Sequence, residues 1–163
     1  MISACRQHLE RVLREAQIPQ VFHDAEKLSQ HQVLPFAVVL AGREDWKRDG
    51  SRVATADSAR RKARTYRRRA YRREVAFTVI LVSQEETRAE GALLAVLREA
   101  GAGFLDEAGN WHRARVDAVR WQDDPSLVRQ RAVVEIEVTF QGGLYRDEEV
   151  PLIQDVRPEA EGA

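Results

Sequence analysis

Apolar residues at Ile2, Cys5, Leu9, Val12, Leu13 and Ala16 recur at helical spacing, so the chain should open with an amphipathic helix that ends before Pro19. Pro35 to Leu40 is a short apolar run followed by Gly42 and predicts a buried strand. From Arg43 to about Tyr66 few side chains can be buried, which reads as a long loop or a protruding hairpin. Val75 to Val82 offers apolar side chains to both faces, as a central strand does. Ser83-Gln84-Glu85-Glu86 matches a capping box, and Ala89, Leu93, Val96, Leu97 and Ala100 form an apolar stripe before Gly101, predicting a helix over Glu85–Ala100.

Ala108-Gly109-Asn110 reads as a turn between two short strands, the second carrying Trp111, Val116, Val119 and Trp121. A loop follows at Asp123-Asp124-Pro125-Ser126. From Ala132 to Phe140 apolar Val134, Ile136, Val138 and Phe140 alternate with Glu135, Glu137 and Thr139, a half-buried strand that Gly142-Gly143 should end. Element order then predicts an α+β fold: a mostly antiparallel sheet of about four to five strands, two helices packed on one face, and a protruding basic arm. Residues 1–145 form the single domain, with the arm at 43–73. Residues 146–163, with six acidic side chains, read as a tail ordered only against a partner.

Charge changes this picture. The 163 residues carry 26 Lys+Arg and 26 Asp+Glu, yet Arg43–Arg73 holds 13 basic and 4 acidic residues, a net +9 that leaves −9 elsewhere. Such polarity suits association with further copies, an acidic partner or nucleic acid. With one Cys and one Met, neither a disulfide framework nor a multi-cysteine metal site is expected. No apolar run approaches the roughly 18 residues of a membrane span, and the chain reads as soluble and cytoplasmic.

Catalytic signatures are sparse. Phosphate-binding glycine loops, His-Glu-x-x-His, Cys-x-x-Cys and Gly-x-Ser-x-Gly elbows are missing from the sequence. Of His8, His23, His31 and His112, the pair His23 and His31 has no specific ligand spacing, and neither a cofactor nor a metal is expected. Cys5 lies in the apolar stripe and reads as a core residue. Asp45-Trp46-Lys47 with Asp24 upstream loosely fits the two carboxylates and lysine of a Mg-dependent nuclease. The dominant feature is the run Arg60, Arg61, Lys62, Arg64, Arg67, Arg68, Arg69, Arg72 and Arg73, with Tyr66 and Tyr71 interleaved. As a strand both its faces are basic, and as a helix it has no apolar stripe, so it must project or meet a partner. Arginines with aromatics can grip phosphates and stack bases, or dock on carboxylates through bidentate pairs.

In its order of parts the chain resembles the tail terminator (tail-completion) proteins of tailed bacteriophages. The matching parts are the opening helix, the Phe36–Leu40 strand, the charged excursion, the Val75–Val82 strand entering Ser83–Glu86 and its helix, and the closing Val134–Tyr145 strand and turn. The resemblance spans about Ile2 to Tyr145. It implies a non-enzymatic protein of the virion neck, assembled in the host cytoplasm as a closed ring, commonly a hexamer. That ring would cap the tail tube, stop its growth and join the tail to the head connector. The implied partners are further copies of the chain, the tail tube protein, the connector, a sheath where the tail has one, and the DNA that passes through. Such closure needs a heterologous interface, for which the arm of one copy on the body of the next would serve. The alternative reading is a nucleic-acid-binding protein using the Arg60–Arg73 arm.

Overall fold

In the computed structural model, which describes residues 1–30, 33–58, 63–122 and 132–151, the opening stripe folds as α1 (Ile2–Glu15) and buries Cys5, Leu9, Val12 and Leu13. Seven strands follow: β1 (Gln20–Phe22), β2 (Phe36–Arg48), β3 (Arg52–Ser58), β4 (Ala63–Ser83), β5 (Phe104–Leu105), β6 (Trp111–Trp121) and β7 (Ala132–Pro151). A second helix, α2 (Glu86–Ala102), separates β4 from β5. The protein is α+β, but its sheet is larger than the expected four to five strands and is mixed. Its order is β1-β2-β4-β7-β6-β5, with β3 also paired to β4.

The unexpected parallel pair is β1 with β2, where Gln20 lies opposite Phe36 and Phe22 opposite Val38. Three residues are too few to display an alternation, so no periodicity announces β1. Its parallel pairing is allowed by the connection through Ala25–Leu28, a single 3-10 turn capped by Asp24, since parallel neighbours need a crossover of about a dozen residues. The pairs β3–β4, β5–β6 and β6–β7 are antiparallel.

One core gathers α1, α2 and the inward residues of four strands, among them Val39, Phe77, Ile136 and Phe140. A smaller cluster of Phe36, Val38, Val82 and Val133 packs with Phe22, Leu28 and Leu34. Phe36–Val39 is therefore buried on both faces, as its unbroken apolar run requires.

Several local signals resolve differently from their expectation. The Ser83 hydroxyl accepts a hydrogen bond from the Glu85 amide at 3.2 Å, and Glu85, with no side-chain cap bond, is the N-cap of α2. No capping box forms, because Ser83 still belongs to β4 and is buried there. Likewise α2 passes Gly101 and stops at Gly103, whose φ is +66°. A Cβ at Gly103 would fall 2.6 Å from the His112 carbonyl oxygen and 2.7 Å from the Trp111 ring, so only glycine fits under β6.

Gly142-Gly143 does not end β7, which runs on to Pro151 and so takes in the first part of the segment read as an acidic tail. These glycines mark close approaches. A Cβ on Gly142 would meet the His112 ring at 2.5 Å, and one on Gly143 the Arg69 side chain at 2.7 Å. Residues 152–163, His31 and the loop at Asp123–Ser126 lie outside the described residues.

The chain divides into two compact units, residues 1–46 with 73–142, and residues 47–72 with 143–163. The first contains both helices and both apolar clusters. The second is built from β3 and parts of β2, β4 and β7.

Cys5 is fully buried, and burial pushes its thiol up to about 12. Since the thiolate is the reactive form, an aromatic disulfide reagent at pH 8 should leave native protein unlabelled. Labelling along a denaturant series should rise together with the loss of circular dichroism; fast labelling without denaturant would contradict this packing.

Candidate interaction surface on the basic strand

The excursion read as a long loop or a hairpin is paired strand over its described length except at residues 49–51, with β3 antiparallel to β4 as in a hairpin, and the break between β2 and β3 has a local cause. Asp49 Oδ1 accepts hydrogen bonds from the amides of Gly50 and Ser51, both at 2.9 Å, while Gly50 takes φ +150°. The same carboxylate receives Arg69 Nε at 2.6 Å, and these bonds, led by the Ser51 amide, hold it below the usual carboxylate range. Beyond the turn, β3 pairs with β4 from Arg52 opposite Arg68 to Ser58 opposite Ala63. The register slips between Arg52 and Ala54, leaving Val53 as an extra, exposed residue.

Alternation sorts the basic run onto two faces. Arg64, Tyr66 and Arg68 share one face with Arg52 and Asp57 across the ladder. Arg64 clasps Asp57 with two bonds, Nε at 2.5 Å and Nη2 at 2.9 Å, and the Arg52 guanidinium lies 4.1 Å from the centre of the Tyr66 ring. Arg68 donates to Glu148 on β7 at 3.0 Å, which puts Glu148 and its alternates Leu144, Arg146 and Val150 on this face too. The other face carries Arg67, which clasps Asp147 at 2.8 and 2.9 Å, together with Arg69 and Tyr71. Hydrogen bonds from Arg64 and Arg67 are the leading cause holding Asp57 and Asp147 below the carboxylate range.

Arg73 belongs to the first unit, where its Nε meets Glu44 at 2.5 Å and its guanidinium lies 4.6 Å from the Trp46 ring centre. Arg72, on β4, is exposed and also partnered. Arg60 and Arg61 lie outside the described residues.

The run is thus gathered on one strand, but much of its charge is answered within the chain. Among the described residues of the second unit nine are Lys or Arg and five are Asp or Glu. Sequence reasoning missed Asp147 and Glu148 as partners, because they come from the segment assigned to an acidic tail. The available signal was an acidic patch at strand spacing after the Val134–Phe140 alternation, which β7 continues.

The nuclease reading finds no assembled centre. Asp45 is bound by Arg43 at 2.8 Å, and Asp24 accepts the Glu26 amide at 2.9 Å to cap its own turn. Among the described residues no cluster of three or more His, Cys, Asp or Glu side chains could hold a metal ion. His23 bridges Glu10, at 2.5 Å, and the Val39 carbonyl oxygen, at 3.3 Å.

A cleft of about 510 Å³ opens between α1 and the β5–β6 turn, lined among others by Gln7, His8, Arg11, Phe104 and Leu105. Its His8 ring stacks on Phe104 at 4.3 Å, and burial together with the nearby Arg11 lowers the pKa of that histidine. Behind it His112, fully buried, meets Asp106 at 2.8 Å. These groups pack and pair with one another, and no nucleophile stands beside either ring in the described contacts. No helix among the described residues is long and apolar enough to cross a membrane.

No known protein-family model matches this chain, and no curated protein sequence matches it.

Proposed function

We propose that the chain is a structural assembly protein of the bacteriophage neck, a tail-terminator-like subunit. It would close into a ring, of about six copies by the resemblance, on the last ring of the tail tube and join the tail to the head connector. One observation carries this reading: among the described side chains of the second unit none is buried, while Val53, Tyr71, Leu144 and Val150 are exposed. Strand pairing and ion pairs hold that unit, and exposed ion pairs contribute little stability individually. A β unit of this kind has apolar surface to bury against a partner, which fits an assembly element better than a solvated hairpin.

Nucleic acid is the second reading, since the Arg52–Tyr66 stack is a surface on which bases could lie. The clasped carboxylates Asp57 and Asp147 weigh against it, because phosphates would have to displace them.

Light scattering of purified protein at low and high salt decides between the readings. The expected result is a closed oligomer of about six copies, partly loosened by salt through screening of charged contacts. A monomer at every salt would overturn the assembly reading, and duplex DNA binding by that monomer, with affinity falling steeply as salt rises, would favour nucleic acid.

A further inference from the structure

We infer that the Arg52–Arg68–Leu144 face of the basic unit docks on the outward stripe of α2 in a second copy of the chain. The inference rests on the assembly reading and names the two surfaces that would meet. On the arm side, Leu144 and Val150 are 52% and 45% exposed, set among Arg52, Arg64, Arg68 and Arg146. Two of these cations are engaged by Asp57 and Glu148, so Arg52 and Arg146 leave the face net basic.

On the helix side, Glu86, Glu90, Leu94 and Leu97 follow one another at four, four and three residues and lie on one line of α2. Leu94 is 53% and Leu97 40% exposed, although the adjoining face of the same helix buries Ala89, Ala92, Leu93 and Val96 in the core. Two carboxylates followed by two leucines thus form an acidic-then-apolar strip on a rigid element.

The two strips complement each other in charge and in kind. Guanidinium groups of the arm can meet Glu86 and Glu90, while Leu144 covers Leu94 and Leu97. Phosphates would satisfy the cations but would leave Leu144, Leu94 and Leu97 in water. Because the contact joins unlike surfaces, each copy supplies one of each and the arrangement repeats around a ring.

Heterologous contact gives a direct test with two single variants of the full chain, Leu144→Asp on the arm and Leu94→Asp on the helix. Both positions are exposed, and unchanged circular dichroism and melting verify folding. Light scattering should show an oligomer for the native chain and the 18.6 kDa monomer for each variant alone. A 1:1 mixture should give a species of twice that mass that grows no further, because the intact arm of Leu94→Asp meets the intact helix of Leu144→Asp. If the native chain is oligomeric and Leu94→Asp stays so, or if the mixture stays monomeric, the inference falls while the ring reading stands. A native chain that is monomeric at all salts overturns both.

Discussion

Replacing Phe140 by alanine should lower the stability of the protein by about 3–5 kcal/mol, the largest effect expected from any single substitution considered for this chain. Phe140 is fully buried on β7 at the centre of an aromatic cluster. Its ring meets Phe77 of β4 edge-on at 5.6 Å, Phe104 of β5 at 5.9 Å and His8 of α1 at 6.1 Å. Truncation would remove apolar contact and leave a void bounded by three strands and a helix, none of which can collapse without moving the others. For a chain of this size about 2–4 °C is lost per kcal/mol, so the melting temperature should fall by roughly 6–20 °C in scanning calorimetry. Phe140→Leu, which keeps most of the volume, should recover more than half of that loss. A drop of less than 3 °C for the alanine variant would show that this cluster is not the centre of the core.

What made Phe140 legible in the sequence also explains what was not. Residues 132–140 alternate because one face of β7 is in the core and the other is not, and period two reports that difference. The stripe of α1 was readable for the same reason at helical period, the strand at Val75–Val82 through its nearly unbroken apolar run, as suits a strand between β2 and β7, and Gly109-Asn110 marked the β5–β6 turn through glycine's φ of +72°. Residues 41–48 and 63–73 are strands with neither face buried, so they offer no periodicity and resemble loop. Their pairing is set by register: Arg67 and Arg68 meet Asp147 and Glu148 eighty residues later, which only the ladder between β4 and β7 determines. Of the candidate surface, residue identity was readable and the partners were not. The window from Arg43 to Arg73 therefore looked more strongly cationic than the folded unit is.

A second large effect is expected at Asp106, where a polar network closes the β5–β6 turn. Its Oδ1 accepts the Asn110 amide at 2.8 Å, and its Oδ2 accepts the Asn110 side chain at 3.2 Å and His112 Nε2 at 2.8 Å. His112 Nδ1 is buried without a hydrogen-bond partner among the described residues, directly against Gly142, so the ring proton that bonds Asp106 is assigned to Nε2. Asp106→Ala would strand a buried imidazole nitrogen and a turn amide together, and should cost about 2–4 kcal/mol. Asp106→Asn keeps an acceptor for the turn amide but turns a donor or a weaker acceptor toward His112. It should lie between the alanine variant and the native chain.

The pH dependence separates this network from simple packing. Burial raises the Asp106 pKa, but the bonds from His112 and Asn110 outweigh it and bring the carboxyl down to about 2. A depressed carboxyl contributes stability that is complete above the unfolded value near 4 and is lost as pH falls toward 2. The native chain should therefore lose about 2 kcal/mol from this group over that interval. Asp106→Asn, which cannot titrate, should show a correspondingly shallower fall in urea-unfolding free energy between pH 4 and 2. Parallel curves for the two proteins over that interval would mean that Asp106 holds the turn by shape alone.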